Sequence, residues 1–107
     1  MKRVGFILKV KQELIEEYKE KHRDVWPEMK AALSACGWKN YSLFMREDGT
    51  IFGYFETPES LQAAIACMED TEVNERWQAA MSPYFEIPDG ARPDQTMMEI
   101  EEVFHID

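Results

Sequence analysis

Apolar residues recur at every second position over residues 3–10. Val4, Phe6, Leu8 and Val10 share one face, and Arg3, Gly5, Ile7 and Lys9 share the other, which is the period of a β-strand. The period then lengthens. Leu14, Ile15, Tyr18, His22, Val25 and Trp26 form a stripe at helical spacing opposite Glu16, Glu17, Lys19, Glu20 and Arg23, so the spacing predicts a helix running to Trp26. Pro27 breaks it, because the residue before a proline is pushed out of the helical region, and can itself open a second helix. Met29, Ala32, Leu33 and Cys36 supply that helix's stripe and Gly37 its stop. Residues 40–46 and 51–56 read as strands joined through Glu47-Asp48-Gly49-Thr50, whose Asp-Gly pair marks a hairpin turn. Thr57-Pro58-Glu59 supplies a cap followed by proline at a first helical position, ahead of the stripe Leu61, Ala64, Ile65 and Met68. After a break at Asp70-Thr71, a fourth helix turns Val73, Trp77, Ala80 and Met81 inward and begins to end at Ser82-Pro83. Residues 87–94 hold two prolines and Asp89-Gly90 and read as a loop. Met98, Ile100, Phe104 and Ile106 then alternate with Glu99, Glu101, Val103 and His105, which predicts a closing strand.

The order strand, helices, hairpin, helices, strand is that of an α+β ferredoxin-like sandwich. Its four-stranded antiparallel sheet carries the helices on one face, within one domain over residues 1–107. Yet the strands are apolar on both faces: Tyr41, Leu43 and Met45 oppose Phe44, and Ile51 and Phe55 oppose Phe52 and Tyr54. A bare apolar sheet face seldom stays exposed. A second copy is expected to cover it, as a two-fold homodimer.

Composition narrows the partners. With 45% hydrophobic and 12% aromatic residues the chain is no disordered segment. Its net charge of −9 repels phosphate backbones and anionic bilayers, so neither nucleic acid nor membrane is expected, and a neutral or cationic ligand is favoured. No apolar run approaches the ~20 residues of a membrane span. The N-terminus enters a strand pattern at once, without a signal-peptide region. The two cysteines, Cys36 and Cys67, lie in no CxxC and read as small apolar fillers in a reducing compartment, hence a cytoplasmic protein.

His22 is the most informative residue. It is one of only two histidines and lies within an apolar stripe, with Tyr18 one turn before it and Trp26 one turn after. An imidazole with an unperturbed pKa of about 6.5 can donate or accept a proton at neutral pH. The same position suits a core histidine hydrogen-bonded to a neighbour. Trp77 is a platform for a sugar's C–H face or simply core. Asn40 and Tyr41 either bind a ligand or cap a strand end, and His105 reads as structural. Metal-ligand spacing, a glycine-rich phosphate loop and a nucleophile elbow are all missing from the sequence, so no metal or other cofactor is expected.

Taken in order, Glu17-Tyr18, His22, Val25-Trp26-Pro27-Glu28-Met29, Asn40-Tyr41-Ser42, Arg76-Trp77 with Met81, and Glu102-Val103-Phe104-His105 resemble the L-rhamnose mutarotase family over nearly the whole chain. That resemblance implies a ferredoxin-like homodimer of the α/β-barrel type that interconverts sugar anomers. It implies that His22 is the general acid, that Tyr18 and Tyr41 bind the sugar, and that Trp77 is a wall of the pocket. The position after Trp77 is often a second tryptophan in that family. Here it is Gln78, which removes an aromatic face and adds an amide able to reach a hydroxyl. Two other readings share the fold: a cofactor-free or haem-using oxygenase with His22 as base or iron ligand, and a non-catalytic sugar-binding module.

Overall fold

A computed structural model describes residues 1–88 and 91–107. Its elements run β1 (Lys2–Lys9), α1 (Ile15–His22), α2 (Pro27–Ala35), β2 (Lys39–Met45), β3 (Thr50–Thr57), α3 (Leu61–Glu69), α4 (Glu72–Met81) and β4 (Met98–Ile100). The strands form one antiparallel sheet in the order β2-β3-β1-β4, the ferredoxin-like arrangement expected.

The alternation in β1 does what its period demands: Val4, Phe6, Leu8 and Val10 are all buried. The hairpin between β2 and β3 closes through Arg46 N–H to Thr50 O (2.8 Å), with the Asp48 carboxylate accepting from Thr50 N–H (2.9 Å). Gly49 sits at φ +92°, and a Cβ there would lie 2.3 Å from the Val10 carbonyl oxygen. Only glycine combines that backbone angle with that close approach. Ser60 caps α3 by accepting from Ala63 N–H (3.1 Å), and Thr71 caps α4 by accepting from Asn74 N–H (3.3 Å). The cap of α3 is therefore Ser60, and Thr57-Pro58 lies just before it.

Three further expectations need correction. The first helix ends at His22, not Trp26. Trp26 is extended (ψ 133°) as the residue before Pro27 must be, and so becomes the N-cap of α2. The closing strand stops at Ile100. Gly5 pairs with Ile100; continuing the register sets Val4, Arg3 and Lys2 level with residues 101–103, yet the ladder stops short of them, and residues 104–107 lie past the end of β1. Arg3 holds the first part of this tail by a two-point grip on Glu102 (3.0 and 2.7 Å). Within the expected loop, Asp89-Gly90 lies outside the described residues, but Pro93–Gln95 forms a short 3₁₀ turn with Pro93 and Asp94 buried.

The cysteines need correction too. Cys36 and Cys67 are joined in a disulfide, with their Cα atoms 5.6 Å apart. They are not independent fillers, and Cys67 is exposed. The bond ties the end of α2 to α3 across 31 residues of sequence, which in the loop-entropy view limits the unfolded chain by about 4 kcal/mol.

One sheet face is covered by helices and the other is open. On the open face Phe44 is 65% exposed, Met98 67% and Ile100 41%. No helix among the described residues is long and apolar enough to cross a membrane.

Candidate acid–base site

A cavity of about 390 Å³ opens between the helices and the covered sheet face, a size in the roughly 300–1,000 Å³ range of small-molecule sites. His22, Tyr18, Tyr41, Trp77 and Gln78, far apart in sequence, all line it. Trp26 does not line it; it packs edge-on to Trp77, ring centres 5.0 Å apart, with the Arg76 guanidinium over the Trp26 ring.

The last turn of α1 stacks the His22 ring on Tyr18, centroids 4.1 Å apart, and α4 brings Trp77 edge-on to His22 at 5.5 Å. His22 Nδ1 lies 3.1 Å from the Tyr18 carbonyl oxygen. A carbonyl only accepts, so Nδ1 carries the hydrogen and Nε2 is left for a ligand. Burial lowers the pKa of His22, and the Tyr18 carbonyl offsets this only in part. The resting imidazole is therefore neutral at neutral pH, with a bare Nε2.

Tyr41 reaches the cavity by a backbone device. The register of β2 against β3 shifts between Lys39 and Ser42, and Asn40 takes a left-handed φ of +50°, the signature of a bulge that re-aims the following side chain. The Asn40 amide itself turns to Glu56 (3.0 Å) on the surface, and His105 is exposed beside Asp107. Desolvation raises the pKa of both Tyr18 and Tyr41 well above the usual phenol. Both remain O–H groups that donate and accept.

Sequence reasoning missed part of the far wall. The buried face of α4 is Asn74, Trp77, Gln78 and Met81, while Ala80 is exposed. Gln78, expected at the site, is thus joined there by Asn74, which the inward stripe of Val73, Trp77, Ala80 and Met81 had left out. Gln78 Nε2 donates to Asn74 Oδ1 (3.0 Å), and Gln78 Oε1 accepts from Asp94 N–H (3.1 Å). The signal was available as Asn74 and Gln78 at i, i+4 spacing flanking an inward tryptophan. Asp94 gave no signal, because aspartate in a proline-containing loop reads as a turn residue.

A small antiparallel α+β fold holding one neutral imidazole and two un-ionised phenols in a largely apolar cavity defines a class: a domain equipped for acid–base chemistry on a small neutral molecule. A model of the L-rhamnose mutarotase family matches residues 3–106. The chain belongs to the L-rhamnose mutarotase family. It is 39% identical to the L-rhamnose mutarotase of Bacillus subtilis, over 100% of both chains. It is 35% identical to that of Oceanobacillus iheyensis, again over 100% of both. A solved L-rhamnose mutarotase from Formosa agariphila superimposes with a TM-score of 0.81 at 27% identity, covering 100% of both chains. These comparisons support neither the oxygenase nor the non-catalytic reading.

Proposed function

We propose that the chain interconverts the α and β anomers of L-rhamnose, with His22 carrying the proton. The observation that carries this reading is the single imidazole fixed by the Tyr18 carbonyl so that Nε2 alone serves the cavity. In the closed sugar the anomeric hydroxyl oxygen O1 and the ring oxygen O5 are both bonded to C1. Nε2 takes the proton from O1 as the O1 electrons form the C1–O1 double bond. The C1–O5 bond breaks, its pair goes to O5, and the imidazolium then acts as general acid and delivers the proton there. Rotation about C1–C2 presents the other aldehyde face, and closure runs the same steps backwards. The enzyme ends each cycle as it began, with every proton accounted for. Tyr18 and Tyr41 supply O–H groups to the sugar's oxygens and Trp77 a ring edge. Gln78 keeps one amide N–H for a hydroxyl.

Saturation-transfer NMR on L-rhamnose tests the reading. Added protein speeds exchange between the anomeric signals; an unchanged exchange rate at micromolar protein would remove it.

The open sheet face supports a homodimer. Phe44, Phe52, Met98 and Ile100 cluster there with no cover from their own chain. Phe44→Glu places a charge in that face and is expected to convert a dimer to a monomer in sedimentation equilibrium. A wild-type protein sedimenting as a monomer at micromolar concentration would sink this part. We place the enzyme in the cytoplasm on the family resemblance, against the Cys36–Cys67 disulfide, a bond more usual in oxidising compartments.

A further inference from the structure

Asp94 is buried beside the same cavity with half of its carboxylate unused. The 3₁₀ turn Pro93–Gln95 carries it inward, leaving its side chain 6% exposed. Oδ2 accepts from Asn74 Nδ2 (3.1 Å) and from Arg92 Nη2 (3.0 Å), and the backbone N–H is held by Gln78 Oε1 (3.1 Å). Oδ1 is fully buried and has no partner among the described residues. A carboxylate oxygen stripped of water and left bare is costly. Three fixed partners on the rest of the residue keep it from turning away. Asn74, Gln78 and Asp94 line the cavity that holds His22.

We propose that Asp94 Oδ1 accepts a hydrogen bond from a ring hydroxyl of the bound sugar, away from the anomeric carbon. The inference rests on the mutarotase reading for the identity of the ligand. Arg92 already supplies the counter-charge, so the vacant oxygen suits a neutral donor rather than a cation. The position on the ring follows from His22. Both reacting oxygens belong beside Nε2, which leaves the other ring hydroxyls for the remaining polar groups of the cavity. Asp94 therefore meets the C2, C3 or C4 hydroxyl. The rival arrangement is internal: Arg92 Nε also lacks a partner, and a small rotation that closes it onto Oδ1 would make Asp94 purely structural.

The test uses wild type and Asp94→Asn, which keeps the side chain's size while exchanging an acceptor for a donor. Anomer exchange gives kcat and KM; calorimetric titration gives Kd for L-rhamnose and for its 2-, 3- and 4-deoxy analogues. Asp94→Asn is expected to raise KM for L-rhamnose roughly 10- to 100-fold with kcat little changed, the usual weight of a hydrogen bond to a charged group. One deoxy analogue should bind wild type and variant equally. A variant that loses thermal stability and kcat while weakening all four sugars alike would overturn the proposal in favour of the Arg92 grip. Should the variant not fold, the wild-type panel decides: affinity lost for one analogue supports the site, and equal affinity for all overturns it. Analogue discrimination without accelerated anomer exchange would remove the mutarotase reading and leave the hydroxyl site standing, whereas failure of wild type to bind L-rhamnose overturns the site.

Discussion

His22→Gln is expected to slow enzymatic anomer exchange by roughly 10²- to 10⁴-fold, the usual contribution of positioned acid–base catalysis. Glutamine keeps a polar group of similar reach but cannot carry a proton from O1 to O5. The dichroism spectrum should be unchanged, because His22 is only partly buried and its side chain bonds no element beyond its own helix. The pH dependence follows from the lowered pKa. The neutral imidazole is the resting form, so kcat/KM is flat at neutral pH and falls as pH drops through an inflection below about 6.5. His22→Gln loses that inflection. Activity that instead rises on acidification would make imidazolium the resting form and would refute the shuttle. Stability carries the same sign. Below the ordinary histidine pKa the unfolded chain binds a proton that native His22 resists, so the native state weakens as pH falls through that window. Chemical denaturation at two pH values should show wild type losing more stability than His22→Gln.

How much of this was readable depends on how local the cause is. The strand period of β1, the Asp48-Gly49 turn and the stripe of α3 are set by neighbours in sequence, and each appears where the pattern put it. The same holds for Tyr18 and His22, one helical turn apart. What failed was decided at a distance. The tail alternates apolar and polar as a strand would, but its ladder with β1 ends at Ile100, and residues 104–107 lie past the end of β1. Cys36 and Cys67 look like fillers singly, and only the approach of α2 to α3 joins them. Asn74 and Gln78 are buried because Asp94, some twenty residues on, folds back onto them. Local propensity has no access to that partner. Of the cavity's polar half only Gln78 was legible, through the family resemblance; Asn74 and Asp94 were hidden by the same long-range contacts that build it, while its aromatic half lay in the open.

Gly53 shows how tightly the covered face is built, and Gly53→Ala is expected to be the most destabilising single-methyl change in the sheet. Gly53 pairs with Phe6 across β3 and β1, and the Phe6 ring lies across it: a Cβ would stand 2.2 Å from two ring carbons and 2.3 Å from a third. The ring has nowhere to go. Phe6 is wholly buried and is held by Phe55, Tyr41 and Trp38 at 6.2, 6.3 and 6.5 Å between centroids. Overpacking typically costs about 1–3 kcal/mol, and with a rigid ring as the obstacle the upper end is expected, a fall in Tm of roughly 10–20 °C for a domain of this size. Tyr41 and Trp38 also line the cavity, so the folded fraction should bind L-rhamnose more weakly even though no substituted atom touches the sugar. Adding Phe6→Leu to Gly53→Ala trims the obstructing ring and should recover part of the loss, although Phe6→Leu alone destabilises. A double-mutant cycle measured by chemical denaturation then gives a favourable coupling of about 1 kcal/mol or more. Strictly additive effects would mean that the ring is not what glycine accommodates. They would also mean that the placement of Tyr41 in the site does not depend on the Phe6–Gly53 contact.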